Sequence, residues 1–245
     1  MRAQARAAVK FSVLGPLAAT LEGEPLALGG ERQRALLAML LVHAGELVAT
    51  ERLTLQLFGG ARSATAVNGL HVAVSRLRRA LRDGDGAMLH TRRGGYVLEL
   101  EPDQLDAAVF ERGLEQGRSL LAAGDALGAT ARLAQALALW RGPPLADLAG
   151  MEDIQGEIRR LEELRLLAEM ERIDAELALG RAAEAVGELE RLIAGAPLQE
   201  RLRGQLMLAL YRSGRQADAL AAYRETCGLL REELGLTPSA ELREL

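Results

Sequence analysis

The sequence predicts a mainly α protein with a small β component: a winged helix-turn-helix followed by an all-α tetratricopeptide-like domain. Three observations carry that expectation. Residues 1–102 run from alternating apolar strands through three helical segments to an arginine-bearing hairpin. Residues 103–245 read as helix almost throughout, and two stretches of them repeat at a spacing of 34 residues. Charge divides at nearly the same place: residues 1–100 hold 13 Lys/Arg and 8 Asp/Glu, net +5, and residues 101–245 hold 17 and 26, net −9. A basic part joined to an acidic part points to two domains with different partners.

In the first domain, Val9, Phe11 and Val13 alternate with polar residues, as do Leu17, Ala19 and Leu21. A turn at Glu22-Gly23-Glu24-Pro25 leads on to Leu26 and Leu28, which predicts a small antiparallel sheet. After Gly29-Gly30, ERQRALLAMLLVHAG (31–45) sets Leu36, Leu37, Leu40 and Leu41 at helical spacing before a glycine, so it reads as a buried helix. Thr50 suits the N-cap of a short helix, ERLTLQLF, stopped by Gly59-Gly60. Ser63 or Thr65 suits the cap of a third helix. After a turn over residues 83–86, MLHTRRGGYVLEL (88–100) places Arg92 and Arg93 before a Gly-Gly turn. Tyr96, Leu98 and Leu100 alternate behind it, giving a β-hairpin with two arginines near its tip.

The third helix carries the chemistry. In NGLHVAVSRLRRAL (68–81), with the residue before it, Val67, Leu70, Val74, Leu77 and Leu81 fall in one core stripe, with Ala73 and Ala80 at its edge. The opposite face holds Asn68, His71, Val72, Ser75, Arg79 and Arg82, flanked by Arg76 and Arg78. Most charge runs are solvated faces in which Glu alternates with Lys or Arg at i,i+4. This face has no such acid, because no Asp or Glu occurs between Glu51 and Asp83. An unpaired face of Asn, His, Ser and Arg matches the base edges of a major groove and the phosphates beside it. Arginines on a hairpin wing suit phosphates or a minor groove.

The second domain reads as helices near 105–123, 125–140, 151–179, 182–195, 198–213 and 215–234. Gly180-Arg181 and Gly214-Arg215 lie 34 residues apart, as do Ala185 and Ala219. That is the period of a tetratricopeptide helix-turn-helix, whose stacked copies present a partner-binding surface. Trp140 reads as a core residue of the repeat domain rather than a ligand-stacking one.

SRLRRAL (75–81) with HTRRGGYVLEL (90–100) resembles the OmpR/PhoB-type winged helix. FSVLGPL (11–17), ERQRALLAMLL (31–41), ALALWRGPPLADL (136–148) and LALYRSGRQADALAAYRETCGLLREELGLTPSAEL (208–242) are similar to the antibiotic regulatory protein (SARP) family. In that family a bacterial transcriptional activator domain follows the winged helix. The resemblance implies DNA contacts from Asn68, His71, Ser75, Arg76, Arg78 and Arg79 on the helix and from Arg92 and Arg93 on the wing. It implies an activator that binds double-stranded DNA at promoter direct repeats as a head-to-tail homo-dimer and recruits RNA polymerase, including its σ factor. Two positions depart from the family pattern: Phe58, often tryptophan, and Gly69, usually alanine.

Nothing supports catalysis. His43, His71 and His90 sit on separate elements, Cys227 is the single cysteine, and Lys10 as the single lysine excludes a P-loop. No cofactor or metal is expected, no apolar run is long enough to span a membrane, and the expected location is the cytoplasm. Two alternatives stand beside the activator. One is an interaction scaffold that has lost DNA binding, which a neutral surface over 68–82 and 90–93 would favour. The other is a ligand-sensing module, which a buried polar cavity in 105–245 would favour.

Overall fold

The computed structural model describes residues 9–59, 64–83 and 86–245. Along the chain run β1 (Val9–Ser12), β2 (Ala18–Leu21), β3 (Glu24–Pro25), α1 (Glu31–Val42), β4 (Val48–Ala49), α2 (Thr50–Phe58), α3 (Ala64–Ala80), β5 (Leu89–Arg92) and β6 (Gly95–Leu98). Helices follow: α4 (Asp106–Ala122), α5 (Ala126–Leu137), two single 3₁₀ turns (Ala146–Leu148 and Glu152–Ile154), α6 (Gln155–Ala178), α7 (Ala182–Gly195), α8 (Glu200–Arg212), α9 (Gln216–Leu234) and α10 (Ala240–Glu244). This is the mainly helical fold with small sheets near its start that the sequence predicts. Two compact units emerge, one of residues up to Arg112 with Ala138–Arg165, the other of Gly113–Leu137 with Leu166–Leu245. The division therefore runs through α4 and α6, and residues 138–165 pack with the winged helix.

In the first unit, β1, β2 and β3 form an antiparallel sheet in that order, with Phe11 opposite Ala19. Val9, Phe11 and Val13 are buried while Lys10 is exposed, the alternation expected of a half-covered sheet. Helix α1 is different: Ala35 through Leu41 are all buried, seven consecutive residues and so every side of the helix. A helix apolar all round needs cover all round. Helices α2 and α3 and strand β6 supply part of it, and the stretch from 141 to 154 contributes Leu145, Leu148 and Ile154, all buried. That stretch is tied down by backbone bonds from Arg141 N–H to Leu14 O (2.7 Å) and from Leu145 N–H to Val13 O (3.0 Å). Asp147 accepts from Leu17 N–H at 2.7 Å and pairs with Arg34, and Asp153 accepts from Arg52 Nε at 3.0 Å. Trp140, expected in the core of the repeat domain, is instead half-buried in this first unit, where it meets Phe110 edge-on at 5.4 Å with the Arg165 guanidinium over its ring at 5.0 Å.

Two helix starts differ from the sequence reading. Thr50 is the first helical residue of α2, with Ala49 at the cap, and Thr54 Oγ1 donates back to Thr50 O at 2.9 Å. Thr65 lies inside α3, while Ser63 and Gly60, like residues 84 and 85 of the expected turn, lie outside the described residues.

The second unit stacks helix hairpins. Gly180 and Gly214 adopt φ of 79° and 78°, the left-handed conformation that ends a helix cheaply only at glycine. The following N–H reaches back identically in both: Arg181 to Glu176 O (3.0 Å) and Arg215 to Leu210 O (2.9 Å). Ala185 and Ala219 are buried in the shared core with Ile173, Leu189, Leu202 and Leu210. Gly124, at φ 82°, makes a third hairpin of the same construction, with Asp125 N–H on Leu120 O at 2.9 Å. Here α4 and α5 approach so closely that a Cβ on Gly117 would meet Leu133 Cγ at 2.4 Å.

Candidate nucleic-acid interface

Helix α3 buries Ala66, Leu70, Ala73, Val74 and Leu77, and Leu81 just beyond it. Val67 and Ala80 are half-buried at the edges of this stripe. Asn68, His71, Ser75, Arg76 and Arg79 are exposed on the rest of its surface, and Val72 is 50% exposed among them. Arg82, expected on the same face, is exposed but lies beyond the helix end at Ala80, in a turn where its φ is 56°. Among the described residues, no ion pair engages the side chain of Arg76, Arg79 or Arg82. The first acid after the helix, Asp83, does not compensate them. It is buried and its carboxylate accepts from Met88 N–H (3.1 Å) and Leu89 N–H (2.9 Å).

Strands β5 and β6 are the wing, paired from Leu89↔Leu98 to Arg92↔Gly95. The tip is therefore Arg93-Gly94 rather than the Gly-Gly pair. Gly95 stands inside β6 because β4 crosses it closely: a Cβ there would lie 2.1 Å from Val48 O. Arg92, Arg93 and Thr91 are exposed.

The predicted residues separate into three groups. Asn68, His71, Ser75, Arg76 and Arg79 share the exposed surface of α3, and Arg93 stands free at the wing tip among the described residues. Arg92 is half-exposed and lies 3.3 Å from Glu99 Oε1, whose other oxygen is 3.2 Å from His90 Nε2. Arg78 is half-buried, and its guanidinium donates to Leu89 O and Thr91 Oγ1. Burial pushes the Tyr96 phenol above its ordinary 10.0, while the nearby Arg78 charge draws it down. Glu99 and Asp83 were not singled out from sequence. Only the hairpin register brings one to Arg92 and turns the other inward.

Beside α3 lies an open groove of about 360 Å³ whose wall includes Arg32, Phe58, Gly69, Val72 and Arg76. Arg32 sits 5.2 Å over the Phe58 ring. In the second unit, an open cleft of about 440 Å³ is lined by Glu115, Arg118, Ser119, Leu121, Ala122 and Glu171. Among the described residues no three His, Cys, Asp or Glu side chains gather as a metal site, and no helix is long and apolar enough to cross a membrane.

Two family profiles match the chain: the C-terminal domain of transcriptional regulatory proteins over residues 23–98, and the bacterial transcriptional activator domain over 105–245. The second alone covers more than half of the 245 residues. The chain belongs to the SARP family of bacterial transcriptional regulators. Regulatory protein AfsR of Streptomyces coelicolor is 43% identical to this SARP chain over 239 residues, covering 97% of it and 24% of AfsR. The chain thus spans about a quarter of that relative's length. Regulatory protein DnrI of Streptomyces peucetius is 37% identical, with 97% of this chain and 90% of DnrI aligned. The solved structure of Mycobacterium tuberculosis EmbR, in complex with a low-affinity phosphopeptide, superposes with a TM-score of 0.92 at 34% identity. That match covers 98% of this SARP chain and 64% of EmbR.

Proposed function

We propose that this protein is a sequence-specific transcriptional activator that reads promoter direct repeats through α3 and recruits RNA polymerase. One observation carries the reading: Arg76 and Arg79 share an exposed helix face with Asn68, His71 and Ser75, Arg82 is exposed in the turn just beyond it, and no ion pair among the described residues engages those arginines. A cationic face with hydrogen-bonding side chains at its centre matches phosphates at the borders and base edges between them. The unpaired charge also speaks against a winged helix that has lost DNA binding. Arg93 extends the contact to the neighbouring phosphates or minor groove. The DNA-binding part comprises the winged helix through residue 102 with residues 138–165 packed on it, and the helix hairpins present the surface for partners. On tandem sites two protomers bind head to tail, with RNA polymerase and its σ factor as the recruited partner and the cytoplasm as the location.

Selection of bound duplexes from a random DNA pool tests this directly. Recovery of a defined half-site repeated in tandem is the expected result. Recovery of no enriched sequence, with no retention of DNA at low salt, overturns it.

A further inference from the structure

Arg78 departs from the other arginines of α3. Its Nε and Nη2 donate to Leu89 O at 3.0 and 2.7 Å, and Nη2 also donates to Thr91 Oγ1 at 2.9 Å. Leu89 is gripped from its other side as well, since its N–H donates to Asp83 Oδ2 at 2.9 Å. Asp83 is itself fixed to the helix end, its N–H donating to Arg78 O at 2.8 Å. Both polar backbone groups of Leu89 are thus held, one by Arg78 in the last turn of α3 and the other by Asp83 three residues beyond its end.

The reason lies in the sheet. Its order is β4-β6-β5, so β5 is an outer strand, and backbone groups that it turns away from β6 have no strand to pair with. A planar guanidinium fork reaching one carbonyl and one hydroxyl is a directional joint, which a lysine ammonium does not reproduce. Arg92 and Arg93 lie three and four residues along the chain from Leu89. The joint therefore sets where the wing tip stands relative to the exposed face of α3, and it removes ordering that binding would otherwise have to supply.

We propose that Arg78 is a positioning residue that locks the wing to the recognition helix, acting through Arg92 and Arg93 rather than on a phosphate of its own; this rests on the DNA-binding reading above. A direct phosphate contact and a joint differ in how they combine with loss of the wing arginines.

The test uses the full chain, a duplex recovered by the pool selection, and a random duplex of equal length. Arg78→Gln is compared in the parent and in the Arg92→Ala/Arg93→Ala background. With the wing intact it weakens binding roughly tenfold, within the range of couplings inside one network. With the wing arginines gone it weakens binding no further. Arg78→Lys does not restore affinity. Thr91→Val, which removes one bond and leaves the Arg78 charge in place, shows a smaller loss with the same dependence on the wing. In the free protein, amide exchange at Met88 and Leu89 accelerates in Arg78→Gln while the α3 core amides keep their protection. An equal loss in both backgrounds, with the log–log salt slope falling by ~0.9 each time, identifies a phosphate contact and overturns the proposal. Unchanged exchange at Leu89 overturns it as well. If the parent chain binds neither duplex, the DNA-binding reading fails and the positioning role with it, whereas the exchange data still report the joint.

Discussion

The Phe58 ring occupies the space that a side chain at Gly69 would need: a Cβ there would lie 2.7 Å from Phe58 Cε1 and 2.8 Å from Cζ. The two positions where the sequence departs from the SARP pattern are therefore one packing arrangement. The Phe58 ring packs onto the helix at this point, and residue 69 must be small to receive it.

Gly69→Ala accordingly tests a balance of two effects. Alanine gains ~1 kcal/mol of helix propensity over glycine. Overpacking against a ring costs ~1–3 kcal/mol. Clash is expected to win, so Gly69→Ala lowers stability by ~1 kcal/mol in denaturant unfolding. In a Phe58→Leu background the sign reverses and alanine stabilises. Equal effects in both backgrounds would show that the ring does not restrain residue 69.

The wing arginines are not equivalent. Glu99 partly neutralises Arg92, while Arg93 has no ion pair among the described residues. Arg93→Ala is expected to flatten the salt dependence of DNA binding by ~0.9 in log–log slope, and Arg92→Ala by less. Glu99→Gln should tighten binding at low salt, by the few-fold or less that a surface ion pair of ~0–1 kcal/mol permits, with the gain fading as salt rises. Tighter binding by Arg92→Ala would reverse these roles.

Residues 138–165 decide whether the winged helix stands alone. They bury Leu145, Leu148 and Ile154, and fully burying such side chains contributes ~1.5–3 kcal/mol each. Their loss removes roughly 5–9 kcal/mol, comparable with the ~5–15 kcal/mol stability of a whole domain. A fragment ending at residue 102 should therefore bind hydrophobic dye and lose slow-exchanging amides in α1, whereas one ending at residue 165 keeps them. A cooperative thermal transition in the shorter fragment equal to that of the longer one would refute this.

Periodicity made much of this legible in the sequence. The buried stripe of α3, the paired turns at Gly180 and Gly214, and the hairpin all follow from local patterns. The packing of residues 138–165 on α1 was not legible, because Arg34–Asp147 and Arg52–Asp153 join residues about a hundred positions apart and the Gly/Pro-rich stretch has no period. The uninterrupted apolar run of α1 was the signal that something else had to cover it. The break at Gly124 was legible, but its kinship with the other two turns was not, because 56 residues, not 34, separate it from Gly180, the long α6 intervening. Arg78 looked like its neighbours because only the position of β5 reveals that its guanidinium bonds to Leu89 O and Thr91 Oγ1.

Acid should act on two carboxylates in opposite directions. Burial raises the Asp147 carboxyl, but the Leu17 N–H and Arg34 outweigh it and hold it below its ordinary 3.8. Its contribution is present above that value and is lost as pH falls through the folded one. Asp106 is raised above 3.8 by burial, despite the N–H groups of Val13 and Leu14 and the Arg141 charge. Its contribution is full below the ordinary value and declines as pH rises through the folded one. Asp147→Asn should lower thermal stability at neutral pH and flatten the acid limb below about pH 4. An acid limb as steep as the parent's would show that another carboxylate controls it.

The exposed face of α3 should divide readers from anchors. Asn68, His71, Ser75 and Arg79 lie on its outward surface, where side chains reach base edges, and Arg76 lies at the border beside the groove with Arg32 and Phe58. Truncating a reader to alanine should relax preference at particular base pairs, by ~1–3 kcal/mol where a good bidentate contact is lost. Arg76→Ala should instead weaken selected and random duplexes alike and lower the salt slope by ~0.9, the signature of one lost phosphate. Binding profiles of each variant across single-base changes of the selected site separate the two outcomes. Uniform weakening by all five substitutions would mean that α3 binds backbone only, leaving specificity to the shape of the DNA and the spacing of the repeats.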